Sequence, residues 1–219
     1  MMQSNIATKR LYWIDPYQQE FDGKVVKIDG NHVWLDQTCF YPESGGQAGD
    51  TGLLGSERVI DTQLDQEKNI IHILEKQSTL HLGDDVHGMI DTERRYRIMR
   101  IHSASHIMEY FLFQVFGKLK LVGSHLNERH DQSTYEVEDK LPKDKLQEVE
   151  NNANKFIAEG HLIETYPDEN KQYYRWWKCG EILMPCGGTH VKNTKEIGKI
   201  KLKRKTGGRG REQVITTIE

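Results

Sequence analysis

The chain has 219 residues, 36% of them apolar and 29% charged, with a net charge of −3. That length accommodates one sizeable core or two smaller ones, and the balance is that of a soluble globular protein, not of a disordered tail or a basic coat for nucleic acid. No apolar run is long enough for a membrane-spanning helix and MMQSNIATKR carries no hydrophobic leader, so a cytoplasmic location without a membrane partner is expected.

The charge is unevenly spread. Residues 1–90 hold 7 Lys/Arg against 14 Asp/Glu, whereas residues 91–219 hold 23 against 19. Within the basic half, residues 192–211 carry nine cations, among them Lys199, Lys201, Lys203, Arg204 and Arg209, against the single acid Glu196. Such a run is either a solvated strand or a contact for a phosphate backbone. The three cysteines Cys39, Cys179 and Cys186 cannot all pair, and a reducing compartment would keep them as thiols.

In chain order, Lys24 to Asp29 and His32 to Asp36 flank Gly30-Asn31 and predict a hairpin. Further strands are expected at Glu57 to Leu64, Ile70 to Leu74 and Val86 to Ile90, a spacing that suits a small β-barrel or sandwich. The pattern changes near Asp91. From Glu93 to Phe116 there is no Gly or Pro, and Ile98, Ile101, Ser105, Met108, Leu112 and Val115 recur at helical steps as one apolar face. Gly117 is the natural stop. A second helix is predicted over Lys143 to Glu159, after Pro142, with Leu146, Val149, Ala153, Phe156 and Ile157 on one face and Gly160 beyond its end. Strands then return at His161 to Tyr166, Ile197 to Lys203 and Gln213 to Ile218, the last two able to pair through Thr206 to Gly210. The expected fold is α+β: a small N-terminal β-barrel over residues 1–90, followed over 91–219 by a unit of sheet and packed helices.

His102-Ser103-Ala104-Ser105-His106 places two imidazoles one helical turn apart, on the same side. Cys186-Gly187-Gly188-Thr189-His190 adds a thiolate and a third imidazole on a sharp turn. Together they form a mixed N/S set suited to one tetrahedral divalent ion, zinc first. A zinc protease would need the glutamate of HExxH, which is absent here. A zinc finger would need close pairs, whereas these lie far apart in sequence, so a pocket at a joint between folded elements is the better reading. Ser103 offers a hydroxyl to a small polar substrate, while Ala104 and Ser105 read as ordinary helix packing. A second unusual stretch, Thr38 to Gly52 (TCFYPESGGQAGDTG), reads by itself as a barrel loop whose glycines serve turn geometry more often than binding.

TCFYPESGGQAGDTG, HSASH and CGGTHV, in that order, resemble the editing domain of alanyl-tRNA synthetases and the freestanding AlaX-type alanyl-tRNA editing proteins, in their medium-length form. The resemblance covers nearly the whole chain. It implies an ATP-independent trans-editing hydrolase, an aminoacyl-tRNA deacylase serving translation fidelity. Its substrate would be tRNA(Ala) whose acceptor end wrongly carries serine chiefly, with glycine a second candidate. It also implies one zinc ion per chain on the catalytic set His102, His106, Cys186 and His190. Substrate contacts are implied at Gly45 and Gly46 with their neighbours Ser44 and Gln47, and Thr38 or Ser103 is expected to meet the seryl hydroxyl. Lys199, Lys201, Lys203, Arg204 and Arg209 are the candidates for tRNA contact, and no obligate protein partner is evident. Two departures stand out: Ser105 occupies a position where threonine is common, and the C-terminal RGREQVITTIE lacks the arginine-rich signature of the full synthetases. Threonyl-tRNA synthetase editing domains share the HxxxH and CxxxH spacing but usually show CxGPH, so Gly188-Thr189 favours the alanyl branch. The alternatives left open are editing of another tRNA such as Ser-tRNA(Thr), a different metal hydrolase of small esters or amides, and a non-catalytic tRNA-binding module stabilised by zinc.

Overall fold

The structure is a computed structural model that describes residues 8–219. The chain is α+β and divides into two compact units: one of residues up to Ser44 together with Ala48–Arg95, the other of Gly45–Gln47 together with Tyr96–Glu219.

The first unit contains β1 (Lys9–Arg10), β2 (Glu20–Asp29), β3 (His32–Leu35), β4 (Gln37–Thr38), β5 (Gly52–Leu54), β6 (Glu57–Leu64), β7 (Ile70–Leu74) and β8 (Asp85–Ile90). Six of these close into a barrel in the order β2-β3-β7-β6-β5-β8, and short β1 pairs in parallel with β4. Alternation along the strands turns Phe21 and Val25 of β2, Val59 of β6, and Val86 and Ile90 of β8 into one core with Leu35, Phe40 and Leu54. The predicted hairpin forms at Gly30, with Asp29 opposite His32.

Part of the glycine-rich segment belongs to this barrel for steric reasons. A Cβ at Gly49 would sit 2.1 Å from the Thr62 carbonyl oxygen, and one at Gly52 the same distance from that of Met89. Between these glycines, the buried Asp50 accepts from the backbone N–H of Tyr41 at 2.6 Å and forms an ion pair with the buried Arg95. Arg95 also donates to the carbonyls of Cys39 at 2.7 Å and Pro16 at 3.1 Å. The guanidinium is thus surrounded by acceptors, and removing its charge partner leaves a buried cation without compensation.

The second unit contains most of α1 (Thr92–Phe116), then β9 (Lys120–Leu126), β10 (Asp131–Glu136), α2 (Lys143–Glu159), β11 (Ile163–Pro167), β12 (Arg175–Cys179), β13 (Ile182–Pro185), β14 (Ile200–Thr206) and β15 (Arg211–Ile218). Two antiparallel sheets result, β14-β15-β10-β9 and β11-β12-β13. The buried side of α2 holds four of the five predicted residues, Leu146, Val149, Ala153 and Ile157, together with Glu150, while Phe156 is only half-buried; Gly160 ends the helix in the left-handed region at φ 85°. No helix among the described residues is long and apolar enough to cross a membrane.

Three expectations change. The helix α1 does not bury one face only: Ile98, Met99, Ile101, Ser103, Ala104, Ile107 and Met108 are all at most 1% exposed, so its middle is enclosed on most of its circumference. The strand expected from Ile197 begins at Ile200, because Asn193 caps a 3-10 turn over Thr194–Glu196 and Gly198 follows at φ 77°. The short strands β1, β4 and β5, and strands β9, β10, β12 and β13, are additions to the expected set. Seven-residue β9 is exposed at every position but its last, so it carries no alternation to read.

Asp50→Ala should destabilise the protein by about 3–5 kcal/mol, the usual effect of stranding one member of a buried ion pair. Urea unfolding measures it, and a loss within the scatter of surface substitutions would refute the role assigned to the pair.

Candidate metal centre

Helix α1 presents His102 and His106 one turn apart, with ring centroids separated by 4.8 Å. The other two members follow β13. The N–H of Cys186 donates to the Arg175 carbonyl at 2.9 Å, which extends the β12–β13 ladder by one residue before the chain turns. Thr189 and His190 are then buried, and the His190 ring lies 4.2 Å from that of His102 and 5.0 Å from that of His106. The four potential ligand atoms of His102, His106, Cys186 and His190 all lie within 4.8 Å of one another. Cys186 Sγ is 3.2 Å from His190 Nε2 and 3.5 Å from His102 Nε2. All four residues belong to the second unit, and the ring of the buried Trp177 stands 5.0 Å from His106.

The outer partners of the imidazoles decide which nitrogens face inward. Gln47 Oε1 is 2.8 Å from His102 Nδ1, and an amide oxygen can only accept, so Nδ1 carries the proton and Nε2 keeps its lone pair. The same Gln47 oxygen accepts from the Thr189 N–H at 3.0 Å, while Gln47 Nε2 donates to Thr189 Oγ1 at 2.9 Å. Gln47 therefore locks the histidine and the turn after Cys186 together. Ser103 acts likewise on His190. Its hydroxyl donates to the Met99 carbonyl at 2.9 Å, so it accepts from His190 Nδ1 at 3.2 Å and leaves His190 Nε2 free. His106 Nε2 is buried without a hydrogen-bond partner among the described residues. A buried lone pair left unsatisfied is costly unless something fills it, and outer-partner locking of this kind accompanies metal-ligating histidines. The residues present fit a metal ion.

The electrostatics agree. Burial pushes His102 down to about 4, and holds His106 and His190 well below the usual imidazole range, with the neighbouring histidines adding to the depression. All three stay neutral and able to coordinate. Burial pushes the Cys186 thiol up to about 11 against the opposing effect of the Gly188 N–H, so coordination would have to expel its proton. Cys39 and Cys179 are buried thiols raised to about 12.

Tight contacts explain two glycines. A Cβ on Gly188 would fall 2.3 Å from His102 Cε1 and 2.7 Å from Gln47 Oε1, so only glycine lets the turn pass. Gly45 and Gly46 adopt φ 59° and 88°, both left-handed, and a Cβ on Gly46 would meet the Ser124 carbonyl at 2.9 Å. The Gly46 carbonyl accepts from the Leu126 N–H at 2.7 Å, and Gln47 bridges to Leu126 in parallel fashion. The left-handed pair thus lays the chain along the edge of β9 with Gln47 directed to His102.

The other expected substrate contacts are dispersed. Ser44 belongs to the first unit and is exposed, its carbonyl accepting from the Tyr41 hydroxyl at 3.1 Å. Thr38 is fully buried in the first unit. His72 Nδ1 donates to the Val33 carbonyl at 3.1 Å, so Nε2 accepts the Thr38 hydroxyl at 2.8 Å, and the Phe40 N–H donates to that hydroxyl at 3.0 Å. One lone pair on Thr38 remains. The Ser103 hydroxyl, by contrast, is fully engaged, since the Val191 N–H also points to it at 3.3 Å. Of the basic candidates, Lys199 pairs with Glu219 at 3.3 Å, Lys201 with Glu150 at 2.8 Å and Arg204 with the buried Glu212 at 2.8 Å. Lys203 and Arg209 stand exposed without an ion pair among the described residues.

Sequence reasoning left Thr189, Trp177 and Asp131 without a role. Thr189 lay inside the CGGTH motif but showed no chemistry of its own, and Asp131 lay in a stretch where no element was recognised. Ser105, read as plain packing, donates to Asp131 Oδ2 at 2.9 Å.

Residues 177–214, which include the Cys186–His190 turn, match the family described as the threonyl and alanyl tRNA synthetase second additional domain, and residues 5–94 match class II (A) tRNA synthetases. Both matches are to domains of tRNA synthetases. The chain is 37% identical to the alanyl-tRNA editing protein AlaX-M of Pyrococcus horikoshii, over 97% of this chain and 98% of that protein. It is 37% identical to AlaX-M of Saccharolobus solfataricus, over 97% and 99%. Against the alanine–tRNA ligase of Sulfurisphaera tokodaii it is 34% identical over 89% of this chain but only 24% of the ligase. The chain belongs to the AlaX-M family of alanyl-tRNA editing proteins, as its three motifs implied.

Gln47→Ala should weaken metal binding about 10–100-fold, the usual cost of losing an outer partner of a ligating histidine. Competition against a chromophoric chelator reads this directly, and an unchanged affinity would remove Gln47 from the site.

Proposed function

We propose that this protein, an aminoacyl-tRNA deacylase by family, removes serine chiefly, and glycine as a second substrate, from mischarged tRNA(Ala) in the cytoplasm, using one zinc ion held by His102, His106, Cys186 and His190. The observation that carries the reading is the convergence of three neutral imidazoles and a thiol within 4.8 Å, two of the imidazoles held with Nε2 free. A bound zinc ion would supply Lewis acidity to polarise the ester carbonyl and acidify a water molecule. Hydrolysis breaks the bond between the aminoacyl carbonyl carbon and the terminal ribose oxygen; water contributes the hydroxyl to the amino acid and a proton to the ribose oxygen.

The chain's own residues supply orientation and exclusion. Gln47 and Ser103 keep the imidazoles from rotating, and Trp177 lines the site with an apolar wall. Of the two residues proposed to meet a seryl hydroxyl, Ser103 has no lone pair to spare, and Thr38, buried in the first unit, keeps one. Alanine has no hydroxyl to donate, which suits a site that must spare the cognate ester.

Metal-loaded protein should release serine from Ser-tRNA(Ala) far faster than alanine from Ala-tRNA(Ala), and His106→Ala or Cys186→Ala should abolish the difference. Thr38→Val should reduce the preference for serine. Equal rates for wild type and the His106→Ala variant would end the hydrolase reading. Retained tRNA binding in that variant, with folding lost on metal removal, would leave the non-catalytic module in its place.

For tRNA contact, the ion pairs of Lys199, Lys201 and Arg204 favour Lys203 and Arg209 as the free cations. Replacing either by alanine should weaken tRNA binding at all sequences and lower the slope of log affinity against log salt by about 1. Lys201→Ala should leave that slope nearly unchanged, and the opposite ranking would overturn the assignment.

A further inference from the structure

Asp131 opens β10 and is fully buried, and among the described residues no Lys or Arg pairs with its carboxylate, the neighbouring His130 acting on it only through its charge. Three hydroxyls satisfy it instead. Ser124 of β9 donates to Oδ1 at 3.2 Å, while Ser105 of α1 and Ser133 of β10 donate to Oδ2 at 2.9 Å each. Burial raises the carboxyl pKa and the three donors oppose the rise. A buried acid is an expensive way to fill space when an apolar residue would serve, so its partners are informative.

Two of those partners lead to the four-residue cluster by separate routes. Ser105 sits on α1 between His102 and His106, on the turn that sets the height of both imidazoles. Ser124 is the residue against which Gly46 is packed, its carbonyl and Oγ both 2.9 Å from where a Gly46 Cβ would lie. Two residues along β9, the Leu126 N–H holds the Gly46 carbonyl, and Gln47 then reaches His102 Nδ1 at 2.8 Å. One carboxylate oxygen thus serves the helix that carries two candidate ligands, and the other serves the strand edge that supports the residue orienting one of them. The third partner, Ser133, lies on the same strand as Asp131 and faces Ser124 across the β9–β10 ladder through its backbone, while its hydroxyl is spent on Asp131 and bonds neither α1 nor the Gly46–Gln47 segment among the described residues.

We infer that Asp131 is a positioning residue of the editing site, fixing the His102–His106 turn through Ser105 and the Gly46–Gln47 segment through Ser124. This rests on the deacylase reading for its consequence in catalysis, but its first consequence is on metal affinity and can be read without any tRNA. The three serines make the test internal. A role limited to satisfying a buried acid makes them equivalent, because each contributes one hydroxyl to the same group. A positioning role makes Ser105 and Ser124 matter and Ser133 not.

The experiment is zinc titration of the full chain against a chromophoric chelator, with circular dichroism confirming that each metal-free variant is folded. The variants are Ser105→Ala, Ser124→Ala, Ser133→Ala and Asp131→Asn. The expected result is a loss of about tenfold in zinc affinity for Ser105→Ala, Ser124→Ala and Asp131→Asn, with Ser133→Ala within about twofold of wild type, and the same ranking in kcat for Ser-tRNA(Ala) with KM little changed. If Ser133→Ala loses as much as the other two serines, or if folded Asp131→Asn and the Ser105 and Ser124 variants all bind zinc like wild type, the inference is overturned. Should Asp131→Asn fail to fold, the three serine variants decide alone. Wild type that binds zinc but does not deacylate Ser-tRNA(Ala) defeats the deacylase reading while the affinity ranking still judges Asp131.

Discussion

Three imidazoles and a thiol cannot share a buried space unless each imidazole stays neutral and turns the correct nitrogen inward. An imidazolium in that space would lose its hydration and face its neighbours' partial charges, and the depressed pKa values of His102, His106 and His190 express that cost. The protein meets the requirement from outside the cluster. Gln47 holds the outer nitrogen of His102, Ser103 that of His190, and the glycines at 46 and 188 remove side chains that would stand where those partners must pass. Much of the second unit around the cluster can be traced to that arrangement.

The enclosure of α1 follows from the same need. A surface helix could present His102 and His106 on one face, but exposure would leave the imidazoles free to protonate and rotate. Burial of most of the helix middle, from Ile98 to Met108, holds the backbone rigid beneath them. The three-stranded sheet contributes Trp177 on its buried side and delivers Cys186 at the end of a ladder that continues to the Arg175 carbonyl. A ligand attached directly to a hydrogen-bonded strand is placed more firmly than one carried by a free loop.

The glycine-rich segment serves two masters, which is why no single motif describes it. Asp50, Gly49 and Gly52 belong to the barrel, where Arg95 and close backbone contacts consume them. Gly45, Gly46 and Gln47 belong with the second unit. In the sequence these residues are one continuous stretch, and the reading of them as a barrel loop was correct for only part of it.

The sequence by itself determined the α+β class, the strands of the barrel with clear alternation, both helices with their Gly stops, and the four residues of the cluster, because these depend on local periodicity, turn chemistry or side-chain type. It also carried the family, through three motifs in order. What it could not contain was the pairing of distant groups. Nothing local distinguishes Gln47 from any other glutamine of a polar loop, or Asp131 from a surface acid, and exposed β9 has no alternation to betray it as a strand. Only the tertiary structure decided that Gln47 meets His102 across 55 residues and Ser103 meets His190 across 87, because a hydrogen bond depends on distance in space and the tautomer depends on the hydrogen bond.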